Sequence, residues 1–481
     1  MMRAVSQRSL PHIAAKTLIL CLGLLLLPSC ENSTQANRAS HTGLQAVAQQ
    51  KAATSKLEPA TTQPVAIFHA FNQRFSDVKK YVCAVGQQGY SHIQISPAQK
   101  SNPSKDWWAR YQPVDYRVIE GLGSEAELKA LIDTAHRCNV RVIADVVFNH
   151  MANMPQYQNL KFPTFTPQDF QPRCNTNYDD PNAKWTLHRC WLGDLPDLKL
   201  DRPHVRQIQK QHMQKLLNLG IDGFRFDAAK HMPQSALQDY INLANTRPTW
   251  NYLEVIEGGN TRLEEYSYIA AVTDFRLYNT LRSAFSYGGD LRSLRVPQAL
   301  NDPRSVVFGR NHDTAPDITS TPVGPFKDQG DAHLATAYVL ARESGTPLVL
   351  SKDNLSVPYI KYGVKFRRIM RDRAREGKRI QENVLAAINS PTVLLLERGA
   401  EGFFVVNKGG QAFNIPVLDL TLTNLEGCYR ELRNNFTVAI ERRSNGKKYV
   451  TRWGTWKQGG MRLQARDALY FIRDPWEKCN Q

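Results

Sequence analysis

From about residue 64 the chain alternates short apolar runs with amphipathic stretches, a rhythm that predicts strands alternating with helices. Residues 64–71, 90–97 and 140–148 read as the first three strands, and 221–227, 252–256, 270–275, 305–310 and 346–352 as five more. Ser124 and Glu127 form a capping box that opens a helix reaching Cys138: the hydroxyl accepts from the Glu127 amide while the carboxylate reaches back. A second helix, Asp201 to Leu219, has Pro203 in its first turn and Gly220 just past its end. Eight strand–helix units of this spacing predict an α/β fold, a (β/α)8 TIM barrel. Residues 151–197, rich in Pro, Asn and Asp, break the rhythm and are expected to form an insertion after strand 3, a small subdomain of its own. Beyond residue 390 the helical signal vanishes, and 392–397, 402–407 and 468–472 read as strands of a separate C-terminal antiparallel β-sandwich domain.

The N-terminus follows other rules. Arg3, Arg8 and Lys16 precede an apolar run from Thr17 to Leu27, too short for a permanent membrane span, which predicts an export signal. Leu27-Pro28-Ser29-Cys30 resembles a bacterial lipoprotein cleavage box, implying a mature chain that begins at Cys30 and carries lipid there. The polar Ala/Gln/Ser/Thr-rich stretch that follows is a tether. The expected division is therefore 1–30 signal, 31–62 tether, 63–390 barrel and 391–481 β domain, a monomer in the bacterial cell envelope, with plain secretion as the alternative. The composition, 42% hydrophobic and 22% charged over 481 residues, suits a large globular core. The formal charge of +17 raises nucleic-acid binding, but the Lys and Arg residues are scattered rather than striped, so a generally basic surface facing anionic lipid is expected instead. With Cys21 and Cys30 set aside, six cysteines remain, an even set that implies disulfides in an exported chain. Proximity suggests Cys174–Cys190, leaving Cys428–Cys479 and Cys83–Cys138, unless one pair stays as buried thiols.

The chemistry centres on Gly223-Phe-Arg-Phe-Asp-Ala-Ala-Lys-His231. On a strand Arg225 and Asp227 share one face, and the guanidinium is expected to lower the carboxyl's pKa and keep it ionised. An isolated pair of this kind is common in protein cores. Here three further strand ends carry Asp145-Val-Val-Phe-Asn-His150, Tyr252-Leu-Glu254 and Phe308-Gly-Arg-Asn-His-Asp313, and the C-terminal strand ends are where such barrels place their active sites.

In this order the four segments resemble the signature regions of the α-amylase family of glycoside hydrolases; Trp107 to Val114 and Asp227 to Met232 resemble its animal-type branch. The resemblance implies Asp227 as nucleophile, Glu254 as general acid/base in an apolar surround, and Asp313 as transition-state stabiliser, with Glu257 a lesser candidate for the acid. It also implies sugar contacts from Trp108, Tyr111, Gln112, His150, Arg225, Lys230, His231 and His312. Of the adjacent tryptophans at least one, Trp108, is expected to offer a sugar platform, the alternative being that they are core aromatics, and the alternative for Lys230 is a solvated charge. Asn149, Asp197 and the His231 carbonyl match calcium-ligand positions, although Arg189 stands where that branch has an acidic ligand. Arg225 and Asn311 match chloride-ligand positions, but an apolar residue near Leu348 stands at the third, so chloride activation is not carried over. A Gly-rich loop expected after Asp313 is replaced by Asp317-Ile-Thr-Ser-Thr-Pro322.

The implied activity is endo-hydrolysis of α-1,4-glucans of the starch and glycogen type, with retention. Transfer to a second sugar, or hydrolysis confined to small malto-oligosaccharides, is the alternative within the family. A non-catalytic glucan-binding protein is the alternative outside it, and the three carboxylates argue against that.

Overall fold

A computed structural model describes residues 63–479, except 175, 179, 181–182, 259–260 and 319–322. The expected signal, Cys30 and the tether lie outside the described residues.

Eight parallel strands close a barrel: β1 (Ile67–Ala70), β2 (His92–Ile95), β3 (Arg141–Val146), β4 (Gly223–Phe226), β5 (Tyr252–Leu253), β6 (Ala271–Thr273), β7 (Ser305–Val307) and β8 (Thr346–Leu350), with β8 returning beside β1. The register sets Asp145 beside Arg225 and Arg225 beside Tyr252, so carboxylates on neighbouring strands arrive at one level. Gly223 is required at the start of β4, because a Cβ there would lie 1.9 Å from the Trp250 carbonyl oxygen.

The helices follow their apolar stripes and end signals. Helix α1 (Phe75–Gln87) buries Phe75, Val78, Val82 and Val85. Helix α2 (Glu125–Arg137) opens on the Ser124–Glu127 capping box, and Cys83–Cys138 ties its end to α1. Helix α3 (Pro203–Leu219) stops at Gly220, whose φ of 105° favours glycine. The remaining long helices are α4 (Gln234–Ala244), α5 (Phe275–Phe285), α6 (Gln329–Ala341) and α7 (Pro358–Arg375). Between β3 and α3 the described chain runs through short helical turns, held by Cys174–Cys190 and by bridges from His150 to Asp197 and Phe170 to Leu198.

Beyond α7 an antiparallel sheet is built from β9 (Glu382–Val384), β10 (Val393–Arg398), β11 (Gly402–Asn407), β12 (Gly427–Glu431), β13 (Thr437–Arg442), β14 (Lys448–Trp453) and β15 (Asp467–Asp474), in the order β9-β10-β11-β15-β12-β13-β14. The last strand thus lies in the middle. One face packs on Leu418, Leu420, Met461 and Leu463, and the pair Phe413–Ile415 and Met461–Leu463 forms the smaller second layer. The other face packs on the barrel: Phe404 and Tyr470 share a core with Phe366 and Met370 of α7, and the Tyr470 hydroxyl donates to Ala337 O at 2.9 Å. Strand β9 falls before residue 390, inside the span that hydropathy assigned to the barrel. Cys428–Cys479 fastens the segment after β15 to β12.

Two buried arginines hold the base of the barrel. Arg367 donates to the carbonyls of Val65, Arg342 and Gly345, and Arg398 to those of Ile380, Ala341 and Arg342. Burial, with Arg398 nearby, pushes the Arg367 guanidinium down to about 9, and burial pushes Arg398 down to about 10.

Candidate active site

At the opposite, C-terminal mouth a single guanidinium organises the charges. Arg225 Nη1 lies 2.8 Å from Asp145 Oδ2 and 2.7 Å from Asp227 Oδ1, and its Nη2 lies 2.6 Å from Glu254 Oε1. Burial opposes the charge on Arg225, yet the three carboxylates outweigh it and hold the guanidinium well above its usual pKa range. Tyr111 donates its hydroxyl to Asp145 at 2.9 Å. Ala228, directly after Asp227, is in the left-handed region at φ 47°, and its N–H donates to Glu254 Oε2 at 2.8 Å. A non-glycine residue held there stores strain, and the reward is an amide aimed at the second carboxyl.

Two electrostatic expectations are corrected. Arg225 was expected to leave Asp227 acidic; instead burial, helped by Glu254 and Asp145, overrides Arg225 and raises Asp227 well above the carboxylate range. One cation cannot serve three buried carboxyls at once, and neighbouring strands supply the other two. Glu254 was expected among apolar neighbours, but its two oxygens take a guanidinium and a backbone amide. Burial and Glu254, which shares a hydrogen bond with Asp313, also push Asp313 well above the usual range. Burial thus raises three carboxyls around one guanidinium, Asp145, Asp227 and Asp313.

An aromatic wall flanks these groups. The His312 ring stacks on Phe71 at 4.5 Å and on Tyr111 at 5.6 Å, and Trp107 stands 6.1 Å from it. Of the adjacent tryptophans, Trp107 joins the wall and Trp108 is 39% exposed. His150 donates from Nε2 to Tyr111 O at 3.0 Å, and burial pushes it down to about 4. His312 also lies well below its usual range through burial, so both rings are neutral donors or acceptors at neutral pH. Lys230 is buried, not solvated: its Nζ donates to Ile256 O at 3.0 Å and sits 4.9 Å from the Tyr178 ring centre. His231 lies 3.5 Å from the Tyr178 hydroxyl. Gln112 accepts from Asn102 at 3.0 Å. Glu257 stands apart, gripped by Arg276 at 2.5 Å.

Asn149 and Asp197 meet beside this wall. Asp197 is 1% exposed, accepts from Leu192 N at 3.0 Å and from the Asn149 side chain, and burial raises it to about 8. Among the described residues no group of three or more His, Cys, Asp or Glu side chains gathers as a metal cluster. Arg189 stacks on Trp185 at 5.5 Å. Asn311 caps its own turn by accepting from Thr314 N, and Arg225 is taken up by carboxylates, so both residues at the chloride positions are otherwise engaged. Past Asp313, Asp317 is pinned between Arg310 at 2.6 Å and Lys352 at 2.7 Å, and Arg310 also grips Asp353.

Sequence reasoning missed His69 and Phe71 as parts of the site and gave Asp145 no role there. His69 contacts Gln94 at 3.2 Å, and burial and Arg225 push it down to about 3. All three lie on or beside β1 and β3, and only the closed barrel brings them to the mouth.

The alpha amylase, catalytic domain family matches residues 80–275. An α-amylase of Thermomonospora curvata is 30% identical over 311 residues, 59% of this chain, and the chain spans about half (51%) of that relative's length. An alpha-amylase-related protein of Drosophila willistoni is 31% identical over 319 residues, covering 59% of this chain and 64% of its own. Among solved structures, α-amylase I of Eisenia fetida, seen also as a variant with maltohexaose, aligns with a TM-score of 0.68 at 21% identity over 84% of this chain and 98% of that one. A cyclomaltodextrin glucanotransferase shares the fold at a TM-score of 0.64 and 17% identity, covering 85% and 99%. An α-amylase of Aeromonas hydrophila is 31% identical over 396 residues, 71% of this chain and 84% of the relative, and with that extent of likeness the chain belongs to the α-amylase family.

Proposed function

We propose that the protein is a glycoside hydrolase that cuts internal α-1,4 bonds of starch- and glycogen-type glucans by double displacement with retention. One observation carries the reading: Asp227 and Glu254 are held on the two terminal nitrogens of one guanidinium, at the end of adjacent strands. Carboxyls bound to one guanidinium fit the closely set pair, about 5 Å apart, that retaining enzymes use. Asp227 attacks the anomeric carbon while Glu254 gives its proton to the leaving oxygen; Glu254 then takes a proton from water, which releases the sugar from Asp227. Arg225, 2.7 Å from Asp227, is the group that favours the ionised nucleophile against burial. Tyr111, His150, His312 and Trp107 hold the sugar at the point of cleavage, and Lys230 and His231 lie towards the leaving group. Proton NMR of the first products from maltoheptaose tests the stereochemistry: the α-anomer is expected, and a β-anomer overturns the mechanism.

Calcium fits as a structural ion. Asp197 is a buried carboxyl joined to the Asn149 side chain, and with the His231 carbonyl these oxygens would supply donors suited to a hard cation. Such an ion supplies no step of the reaction; it would clamp 147–202 to the barrel. Excess chelator should lower the melting temperature, and an unchanged curve with no metal in the purified protein removes the claim.

We further read residues 1–30 as a lipoprotein signal, Cys30 as the lipidated residue and 31–62 as a tether ahead of the two folded parts, with the protein held at the cell envelope as a monomer. Detergent partitioning of the full-length chain tests the anchor; recovery of both wild type and Cys30→Ser in the aqueous phase refutes it.

A further inference from the structure

We infer that the C-terminal sheet carries a second binding site, for a phosphate ester borne by a sugar. Three segments converge at one end of β12, β13 and β14: the turn at 435–437, the loop after β14 and the stretch after β15 that Cys428–Cys479 fixes in place. Between them lies a cavity of about 850 Å³, within the size range of small-ligand sites. Its lining carries four cations, Arg430, Arg452, Lys457 and Lys478. The only carboxylate among the described lining residues is Asp474, and Arg430 already takes it at 2.5 Å. Three cations are left facing one concavity, the arrangement that recognises a doubly charged anion through charge-assisted hydrogen bonds.

The other lining groups narrow the ligand. Asn435, Thr437 and Thr455 offer neutral hydrogen-bonding groups, and half-buried Phe436, packed on Trp453 at 5.9 Å, offers an apolar flank. A flat anionic lipid surface would use a convex basic patch. A concavity with hydroxyls and a ring beside the charge suits a phosphate with a sugar attached, either a free hexose phosphate or a phosphorylated residue within an α-glucan. The polymer source rests on the proposed glucan activity, whereas binding of a hexose phosphate does not. On a polymer the site would hold a phosphorylated chain while the barrel cuts elsewhere along it.

Calorimetric titration of the folded protein with glucose 6-phosphate and with inorganic phosphate tests the site directly. Binding of glucose 6-phosphate is expected, roughly tenfold weaker in Arg452→Gln and again in Lys478→Gln, each first shown to melt like wild type. Gel retardation by amylopectin, using Asp227→Asn to prevent digestion, separates the sources: retardation that falls after phosphatase treatment assigns the polymer, and retardation unaffected by it, with glucose 6-phosphate still bound, assigns the free hexose phosphate. No titration heat from either anion, or equal affinity in the variants, overturns the site. Co-sedimentation with phosphatidylglycerol vesicles that depends on Arg452 and Lys478, without glucose 6-phosphate binding, overturns the sugar assignment. Hydrolysis of maltoheptaose reports on the active site alone, so either reading can fail without the other.

Discussion

Both ends of the barrel bury arginine, with opposite consequences. At the base, Arg367 and Arg398 donate to backbone carbonyls, and burial drags their guanidiniums down to about 9 and about 10. At the mouth, Arg225 meets three carboxyls and is driven up, while Asp227 and Asp313 are driven up as well. The base arginine is a staple: it satisfies carbonyls where β1 and β8 begin, so its loss should be felt in stability. The mouth arginine distributes too little positive charge among too many acids, which keeps protons available for chemistry. Function at the C-terminal ends and stability at the N-terminal ends is the usual division in such barrels, and here one residue type performs both duties.

The comparison breaks most sharply at Asp227. Asp227→Asn should cut glucan hydrolysis by roughly 10⁴-fold, by analogy with loss of other catalytic groups. Its melting temperature should be unchanged or higher, because a carboxyl leaves a crowded cluster; a large fall in melting temperature would show that the mouth is a staple too. Glu254→Gln is expected to cost roughly 10³-fold on glucan and far less on a substrate with an activated leaving group, which needs little protonation. Equal losses on both would move the acid role to Asp313, the carboxyl that shares its hydrogen bond, since Glu257 is gripped by Arg276.

Arg367→Met should do the reverse, lowering unfolding free energy by about 3 kcal/mol in denaturant melts, since buried carbonyls lose their donor, with kcat/KM unchanged. The smallest effect belongs to His212, buried away from the mouth, donating from Nδ1 to Tyr116 O at 2.8 Å and pushed down to about 4 by burial. Its folded pKa lies below its unfolded value near 6.5, so the unfolded chain binds the proton first, and stability is lost as pH falls from 6.5 towards 4. His212→Asn, which keeps an N–H donor, should recover about 1 kcal/mol of that loss at pH 5.5 and nothing at pH 8. An unchanged acid limb would show that His212 is not among the groups responsible.

Much of this was readable from spacing. The eight strands, the Ser124 cap and the Gly220 stop each rest on a local pattern, and each is present. The Arg225–Asp227 contact follows from strand alternation alone and is present at 2.7 Å. Its consequence was not readable, because the pKa of Asp227 depends on Glu254 and Asp145, which reach it through register with neighbouring strands. Trp107 and Trp108 occupy one turn of 3₁₀ helix, so which of them meets Phe71 and His312, just past β1 and β7, follows from the closed barrel and not from spacing. Strand β9 escaped because three residues of mixed polarity carry no period.

The central place of β15 sets an order of assembly. A chain made from its N-terminus delivers the whole barrel, then β9 to β14, and only afterwards the strand that joins β11 to β12. Until residue 474 has emerged, the sheet exists as two unjoined halves, and the apolar flank of α7 around Phe366 and Met370 lacks Tyr470 as cover. A product lacking β15 would thus display a hydrophobic seam that β15 otherwise closes.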